Sequence, residues 1–227
     1  MSMITTVLLD VDNTLLDFNR CAAWSMKKAM TEWGLLCHEQ LYAIFQTINQ
    51  KLWHEIEEGT LTKDELYRIR WQMIFDRCGI DADGAAFEGI FLKYLRDAHE
   101  PVDGAMELLS YLSEKYTVCI ASNAPYEQQL HRLKQAGMLP YIQYLFISEE
   151  IGHPKPGRRF FDYCFSQLKT VQPEEVILIG DSLTADIAGG IEYGIQTCWY
   201  NYDGIAVPDF PKADYIVTSL GQIQDIL

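Results

Sequence analysis

The sequence lacks every common arrangement of soft metal ligands. Its six cysteines (Cys21, Cys37, Cys78, Cys119, Cys164 and Cys198) are scattered without a CxxC pair, and its five histidines form no HExxH pattern. Zinc frameworks and a disulfide scaffold are thereby excluded, and free thiols in a reducing compartment are expected. Positive charge is scarce as well: 18 Lys and Arg stand against 32 Asp and Glu, a net charge of −14. Such a chain is not built for a nucleic-acid polymer or an anionic membrane surface, since both reward basic patches. No apolar run approaches the ~20 residues of a membrane span. The opening Met1-Ser2-Met3-Ile4-Thr5-Thr6 lacks the basic and apolar regions of a signal peptide. Internal repeats and low-complexity segments are missing too. The expectation is a cytoplasmic globular protein, monomeric or a small homo-oligomer. A small anionic ligand stays compatible with the charge if a cation and a local lysine offset the repulsion.

What is present fits an ordinary soluble fold. The 227 residues, 48% hydrophobic and 22% charged, suffice for one core and a second, smaller one. Ile4-Thr5-Thr6-Val7-Leu8-Leu9-Asp10 is a β-branched and apolar run ending in an acid, as in a parallel strand buried on both faces. From about residue 18 to 98 the apolar residues recur at spacings of three and four, and the pattern predicts helices near 19–33, 38–57, 63–78 and 83–98. Glu57-Glu58-Gly59 reads as a helix end, and Thr62-Lys63-Asp64-Glu65 has the spacing of a capping box. Pro101 stops the helical pattern.

Beyond residue 102, strands and helices alternate. Thr117–Ser122, Tyr144–Ser148, Val176–Asp181, Gln196–Asn201 and Tyr215–Thr218 read as strands, with helices near 102–115, 126–137, 157–168 and 183–193. Pro173 suits the first turn of a short helical segment. Alternation of this kind predicts an α/β fold with a doubly wound parallel sheet. The first strand belongs to that sheet, so residues 18–98 form an inserted all-helical domain, and residues 1–17 and 99–227 the core.

Ligands of open parallel sheets bind beyond the carboxyl ends of the strands. The polar residues there are Asp10-Val11-Asp12-Asn13-Thr14, Ser122-Asn123, Lys155 within His153-Pro154-Lys155-Pro156, and Gly180-Asp181-Ser182-Leu183-Thr184-Ala185-Asp186. Read singly, Asp12 or Asp186 could be a helix cap, Ser122 a turn hydroxyl and Lys155 a solvated surface lysine. Read together, Asp10, Asp12, Asp181 and Asp186 are four carboxylates converging on one crevice, which is stable only with a cation or protons among them. Hard oxygen ligands suit Mg²⁺.

This set resembles the haloacid dehalogenase (HAD) superfamily of phosphohydrolases. Its pattern is DxDxT after strand one, Ser or Thr after strand two, a lysine, and GDxxxxD after strand four, with a helical cap inserted after strand one in many members. The resemblance implies a Mg²⁺-dependent phosphohydrolase. In it Asp10 is the nucleophile that forms an aspartyl-phosphate, and Asp12 is the acid and base that serves the leaving oxygen and then the attacking water. Asp10, Asp181 and the backbone carbonyl of Asp12 hold the metal, while Asp186 supports the site from behind. Ser122, Lys155 and backbone N–H groups near Val11, Asp12 and Asn123 hold the phosphoryl oxygens. Thr14 braces the loop.

The cap of such proteins faces the leaving group. The segments Leu52–Gly59, Glu65–Trp71, Gly189–Ile191 and Thr197–Asn201 resemble the pyrimidine 5′-nucleotidase branch, which implies a nucleoside monophosphate of the dUMP, UMP or dTMP kind. Trp53 and Arg70 are the candidate cap contacts, although Trp53 and Trp71 also fit helical core stripes. A sugar-phosphate or phosphoglycolate phosphatase, or a phosphomutase, would share every core residue. Asp12 speaks against a dehalogenase, whose halide leaves without a proton. A non-enzymatic phospho-acceptor or binding protein uses a similar acidic cluster, but in a shorter chain without the insertion.

Overall fold

A computed structural model describes residues 3–37 and 39–227 of the chain. It contains two compact units, one formed by residues up to Phe18 with His99–Leu227, the other by Asn19–Ala98.

The larger unit is built on a six-stranded sheet: β1 (Thr6–Leu9), β2 (Thr117–Ser122), β3 (Tyr144–Ile147), β4 (Val176–Gly180), β5 (Gln196–Tyr200) and β6 (Tyr215–Val217). The spatial order is β3-β2-β1-β4-β5-β6, with every pair parallel. All residues of β1 and β4 are buried, as expected when both faces are covered and the sequence reads as an unbroken apolar run. One face packs Val7, Leu9, Ile120 and Ile177 with Leu108, Leu109 and Leu112, and the other packs Leu8, Cys119 and Leu178 with Phe160, Phe161 and Cys164. The sheet thus separates two cores by the two-residue alternation of its strands. The chain runs outward from β1 to β3 and then crosses back to β4. The switch in strand order therefore lies between β1 and β4, where Leu9 pairs with Ile179 and adjacent carboxyl ends open a crevice.

The smaller unit holds α1 (Phe18–Trp33), α2 (Glu39–Glu57), α3 (Lys63–Cys78) and α4 (Gly84–Asp97). Residue 38, where the sequence pattern starts the second helix, lies outside the described residues. The capping box at α3 is formed: Glu65 N donates to Thr62 Oγ1 at 3.3 Å, and Thr62 N donates to Glu65 Oε2 at 2.8 Å. Helices α3 and α4 approach closely at Gly84, where a Cβ would sit 2.2 Å from the backbone nitrogen of Gln72. Trp71 is fully buried among Phe45, Phe75, Phe87 and Phe91, so the core reading of its stripe holds.

Arg70 overturns one expectation from the sequence. Its side chain is buried within the helical unit, where Nε donates to Glu88 Oε2 at 3.2 Å, Nη2 to Glu88 Oε1, and Nη1 to Asn49 Oδ1 at 2.7 Å. The guanidinium is turned inward, so a substrate contact gives way to an internal ion pair. Trp53 is only partly buried, against Leu52, Ile56 and Leu66.

The core unit also holds α5 (Ala105–Ser113), α6 (Tyr126–Gln135), the short α7 (Ser148–Ile151), α8 (Arg158–Leu168) and α9 (Gly189–Tyr193). The periodicity predicts one regular helix over 183–193. The chain instead forms a widened π-type turn over Leu183–Ala188 before α9 begins. Turns of this kind are frequent at functional sites, and this one carries Asp186.

Candidate active site

The site is assembled at the switch point. Asp10 follows β1 directly, and its amide donates to Ile179 O at 2.9 Å, which ties it to the β4 edge. The chain then reverses tightly: Thr14, Leu15 and Leu16 all donate to Val11 O, and Asn13 adopts φ 60°. Asparagine tolerates that left-handed conformation better than most residues. Thr14 is fully buried, and its hydroxyl has no hydrogen-bond partner among the described residues. Its brace to the loop runs through its amide, 3.2 Å from Val11 O.

Lys155 is the buried hub. Its Nζ lies 2.9 Å from Asp10 Oδ1, 2.5 Å from Asp186 Oδ1 and 2.5 Å from the carbonyl oxygen of Ala121. Three donors of the ammonium meet three acceptors, so the buried charge is both paired and saturated. Burial opposes the charge on Lys155, but Asp10 and Asp186 more than offset this and raise its pKa. The reading of Lys155 as a solvated surface residue is excluded by its 1% exposure. A reciprocal clamp with Asn123 holds its backbone: Lys155 N donates to Asn123 Oδ1 and Asn123 Nδ2 donates to Lys155 O, both at 2.9 Å. The Asn123 side chain therefore braces the lysine loop, which leaves the expected phosphate contact of this residue to its backbone N–H.

Asp186 is buried, and its second oxygen accepts from Ser182 N at 3.1 Å. The start of the widened turn is capped by Ser182 Oγ, which accepts from Ala185 N at 3.0 Å. Asp181 carries on from β4, and its carbonyl oxygen accepts from Trp199 Nε1 at 2.9 Å on β5.

Asp10, Asp181 and Asp186 offer oxygen atoms that all lie within 4.8 Å of one another. Burial pushes the Asp10 carboxyl up to about 7 despite the lowering effect of Lys155, with Asp186 and Asp12 adding to the rise. Burial, then the charges of Asp10 and Asp186, push Asp181 well above the ordinary carboxylate range. One lysine does not neutralise three such acids. The donor set, all hard oxygen and partly dehydrated, fits a divalent cation of the Mg²⁺ type.

Asp12 lies in different company. Its Oδ1 accepts from Arg132 Nη1 at 2.6 Å and its Oδ2 from Gln129 Nε2 at 2.7 Å, both on α6. Gln129 Nε2 also donates to Ser122 Oγ at 3.1 Å, and the same oxygen accepts from Ala124 N at 3.2 Å. Gln129 and Arg132 were not among the residues expected at the site. In the sequence they lie in the polar stretch Tyr126-Glu127-Gln128-Gln129-Leu130-His131-Arg132 of the helix expected near 126–137, yet both are fully buried. A glutamine and an arginine three apart on a helix just after the strand-two motif are the only local signal.

Chain-wide similarity agrees with this geometry. Residues 4–194 match the family of haloacid dehalogenase-like hydrolases. The HAD-hydrolase YfnB of Bacillus subtilis is 34% identical over 229 residues, covering 100% of this chain and 97% of the relative. Its crystal structure, described as bound to magnesium and as revealing interdomain movement, superposes with a TM-score of 0.95 over 100% of this chain and 99% of that one. The pyrimidine 5′-nucleotidase PynA of Streptococcus pneumoniae is 34% identical over 97% of this chain and 94% of its own length. The pyrimidine 5′-nucleotidase YjjG of Escherichia coli is 26% identical over 97% and 96%. The chain belongs to the HAD-like hydrolases and is a phosphohydrolase of that family, with an inserted helical cap domain. None of its described helices is long and apolar enough to cross a membrane.

Proposed function

We propose that this chain is a Mg²⁺-dependent 5′-nucleotidase that works through an aspartyl-phosphate on Asp10 and takes pyrimidine nucleoside monophosphates of the dUMP, UMP or dTMP kind. The observation that carries the chemistry is the convergence of Asp10, Asp181 and Asp186 around the buried Lys155. A carboxylate attacks a phosphate dianion only where charge is neutralised. Lys155 supplies part of that neutralisation, and Mg²⁺, when held by Asp10, Asp181 and the Asp12 carbonyl, supplies the rest.

In the first step an Asp10 oxygen bonds to phosphorus as the bond to the leaving oxygen breaks, and Asp12 gives that oxygen its proton. In the second, Asp12 takes a proton from water as the water oxygen bonds to phosphorus and Asp10 is released. Lys155, the Ser122 hydroxyl and neighbouring backbone N–H groups hold the phosphoryl oxygens in both steps. Asp186 keeps Lys155 aimed at Asp10.

The substrate class is supported by the near-full-length similarity to two pyrimidine 5′-nucleotidases. Trp53, which is only partly buried, is the residue proposed to meet the base.

The test is phosphate release from a panel of pyrimidine and purine monophosphates, phosphoglycolate and sugar phosphates, with and without Mg²⁺. Preference for dUMP, UMP or dTMP, lost without metal, is expected. Preference for phosphoglycolate or a sugar phosphate would overturn the substrate class and leave Asp10 as nucleophile. Isomerisation of a sugar phosphate without sustained phosphate release would overturn the hydrolysis itself.

A further inference from the structure

We infer that Gln129 and Arg132 are positioning residues that set the direction of proton traffic at the site, by holding the Asp12 carboxylate and by turning the Ser122 hydroxyl outward as a donor. The inference rests on Asp12 acting as acid and base and on Ser122 holding phosphate, and it adds the elements that orient them.

The orientation of the Gln129 amide follows from chemistry. Arg132 can only donate and an ionised Asp12 can only accept. The Gln129 oxygen must therefore face Arg132 Nη1, which lies 3.1 Å from it, and the amide nitrogen must face Asp12 and Ser122. Both hydrogens of that nitrogen are committed, one to Asp12 Oδ2 and one to Ser122 Oγ. The two acceptor sites of the Ser122 hydroxyl are taken by Gln129 and by Ala124 N. What remains to Ser122 is its own proton, the polarity needed to hold a phosphoryl oxygen.

Asp12 is governed by the same pair. Each of its oxygens accepts one hydrogen bond from α6, and both holders are fully buried while Asp12 keeps 27% of its side chain exposed. A short, partly exposed carboxylate would otherwise spread over its three staggered χ1 rotamers. Gripped at both oxygens, it is held on the same amide nitrogen that bonds Ser122. A buried guanidinium and a buried amide are costly to desolvate, and the core has placed both where they converge on one carboxylate.

The readout is the dependence on leaving group. An alkyl oxygen needs a proton as it departs, whereas p-nitrophenolate does not. The ratio of kcat/KM for an alkyl phosphate to that for p-nitrophenyl phosphate therefore reports delivery of the proton in the first step. The alkyl ester is whichever member of the panel is turned over best, so the test does not depend on the substrate class. For Asp12→Asn the ratio is expected to fall ~100-fold, in the range of lost general-acid catalysis. For Gln129→Met and Arg132→Lys it is expected to fall at least ~10-fold.

A fall with Asp12→Asn and none with the other two would overturn the positioning role and leave Asp12 as the acid. No change with Asp12→Asn would overturn the acid role and this inference with it. Gln129→Glu, which keeps the shape of the side chain but cannot donate to Asp12, replaces Gln129→Met if that variant does not fold. A crystal structure of the Gln129 variant without substrate reads the geometry independently. With Arg132 still holding Oδ1, the Asp12 Oδ2 is expected to turn away from residue 129, and an unmoved Asp12 carboxylate would count against the inference.

Discussion

Gly180 lies directly beneath Asp186: a Cβ on residue 180 would stand 2.2 Å from Asp186 Oδ2 and 2.5 Å from its carboxyl carbon. Residue 180 closes β4, and the widened turn folds Asp186 back over that backbone toward Lys155. Any side chain at 180 would displace the carboxylate that pairs with the lysine. Gly180→Ala is therefore expected to cost phosphate release ~10²-fold or more, the scale at which misplaced groups lose catalysis, and to weaken Mg²⁺ binding measured by calorimetry. Wild-type turnover in Gly180→Ala would show that Asp186 tolerates displacement.

Lys155→Met removes the partner of two buried carboxylates at once. The loss of one member of a buried pair costs about 3–5 kcal/mol, or ~10 °C in Tm for a chain of this size. The loss should shrink as pH falls, because a protonated Asp10 no longer needs the ammonium. Thermal melts of the variant at two pH values check this. An equal deficit at low and neutral pH would mean that packing, not charge, was lost.

The raised pKa of Asp10 has a signed consequence for stability. In the folded, metal-free protein burial pushes this carboxyl up to about 7, from the 3.8 of an ordinary aspartate. The stability it contributes is complete below the lower value and is lost as pH rises through the higher one. Asp181 shifts in the same direction. The metal-free protein should therefore lose several degrees of Tm between about pH 5 and pH 8, and Mg²⁺ should restore them at the upper end. In Asp10→Asn the slope should be shallower. A metal-free Tm that stays level or rises over that range in wild type would contradict the charge crowding.

The ion pair of Arg70 with Glu88 predicts a purely structural phenotype. Arg70→Ala leaves Glu88 buried without its partner and should cost about 3–5 kcal/mol in urea unfolding. The double change Arg70→Leu with Glu88→Leu should recover much of that loss, since apolar replacement of a buried pair is often neutral. Relative rates across the phosphate-ester panel should be unchanged in the stable double variant. Altered selectivity there would return Arg70 to the substrate.

Much of this molecule is written in local pattern. The apolar run ending at Asp10, the Thr62–Glu65 capping box and the alternation after residue 102 each depend on residues close in the chain, so the strands, the helical insertion and the parallel sheet follow from the sequence. The polar residues at the strand ends were legible for the same reason, because a parallel sheet places those ends together whatever the loops do. Tertiary structure alone decided how the polar groups pair. That Lys155 meets Asp10 across 145 positions, that Arg132 and Gln129 turn inward to Asp12, and that Arg70 spends its guanidinium on Glu88 are contacts between distant segments. Periodicity separates apolar from polar faces but cannot tell a solvated arginine from one buried against a carboxylate, since the difference lies in the partner that folding brings to it.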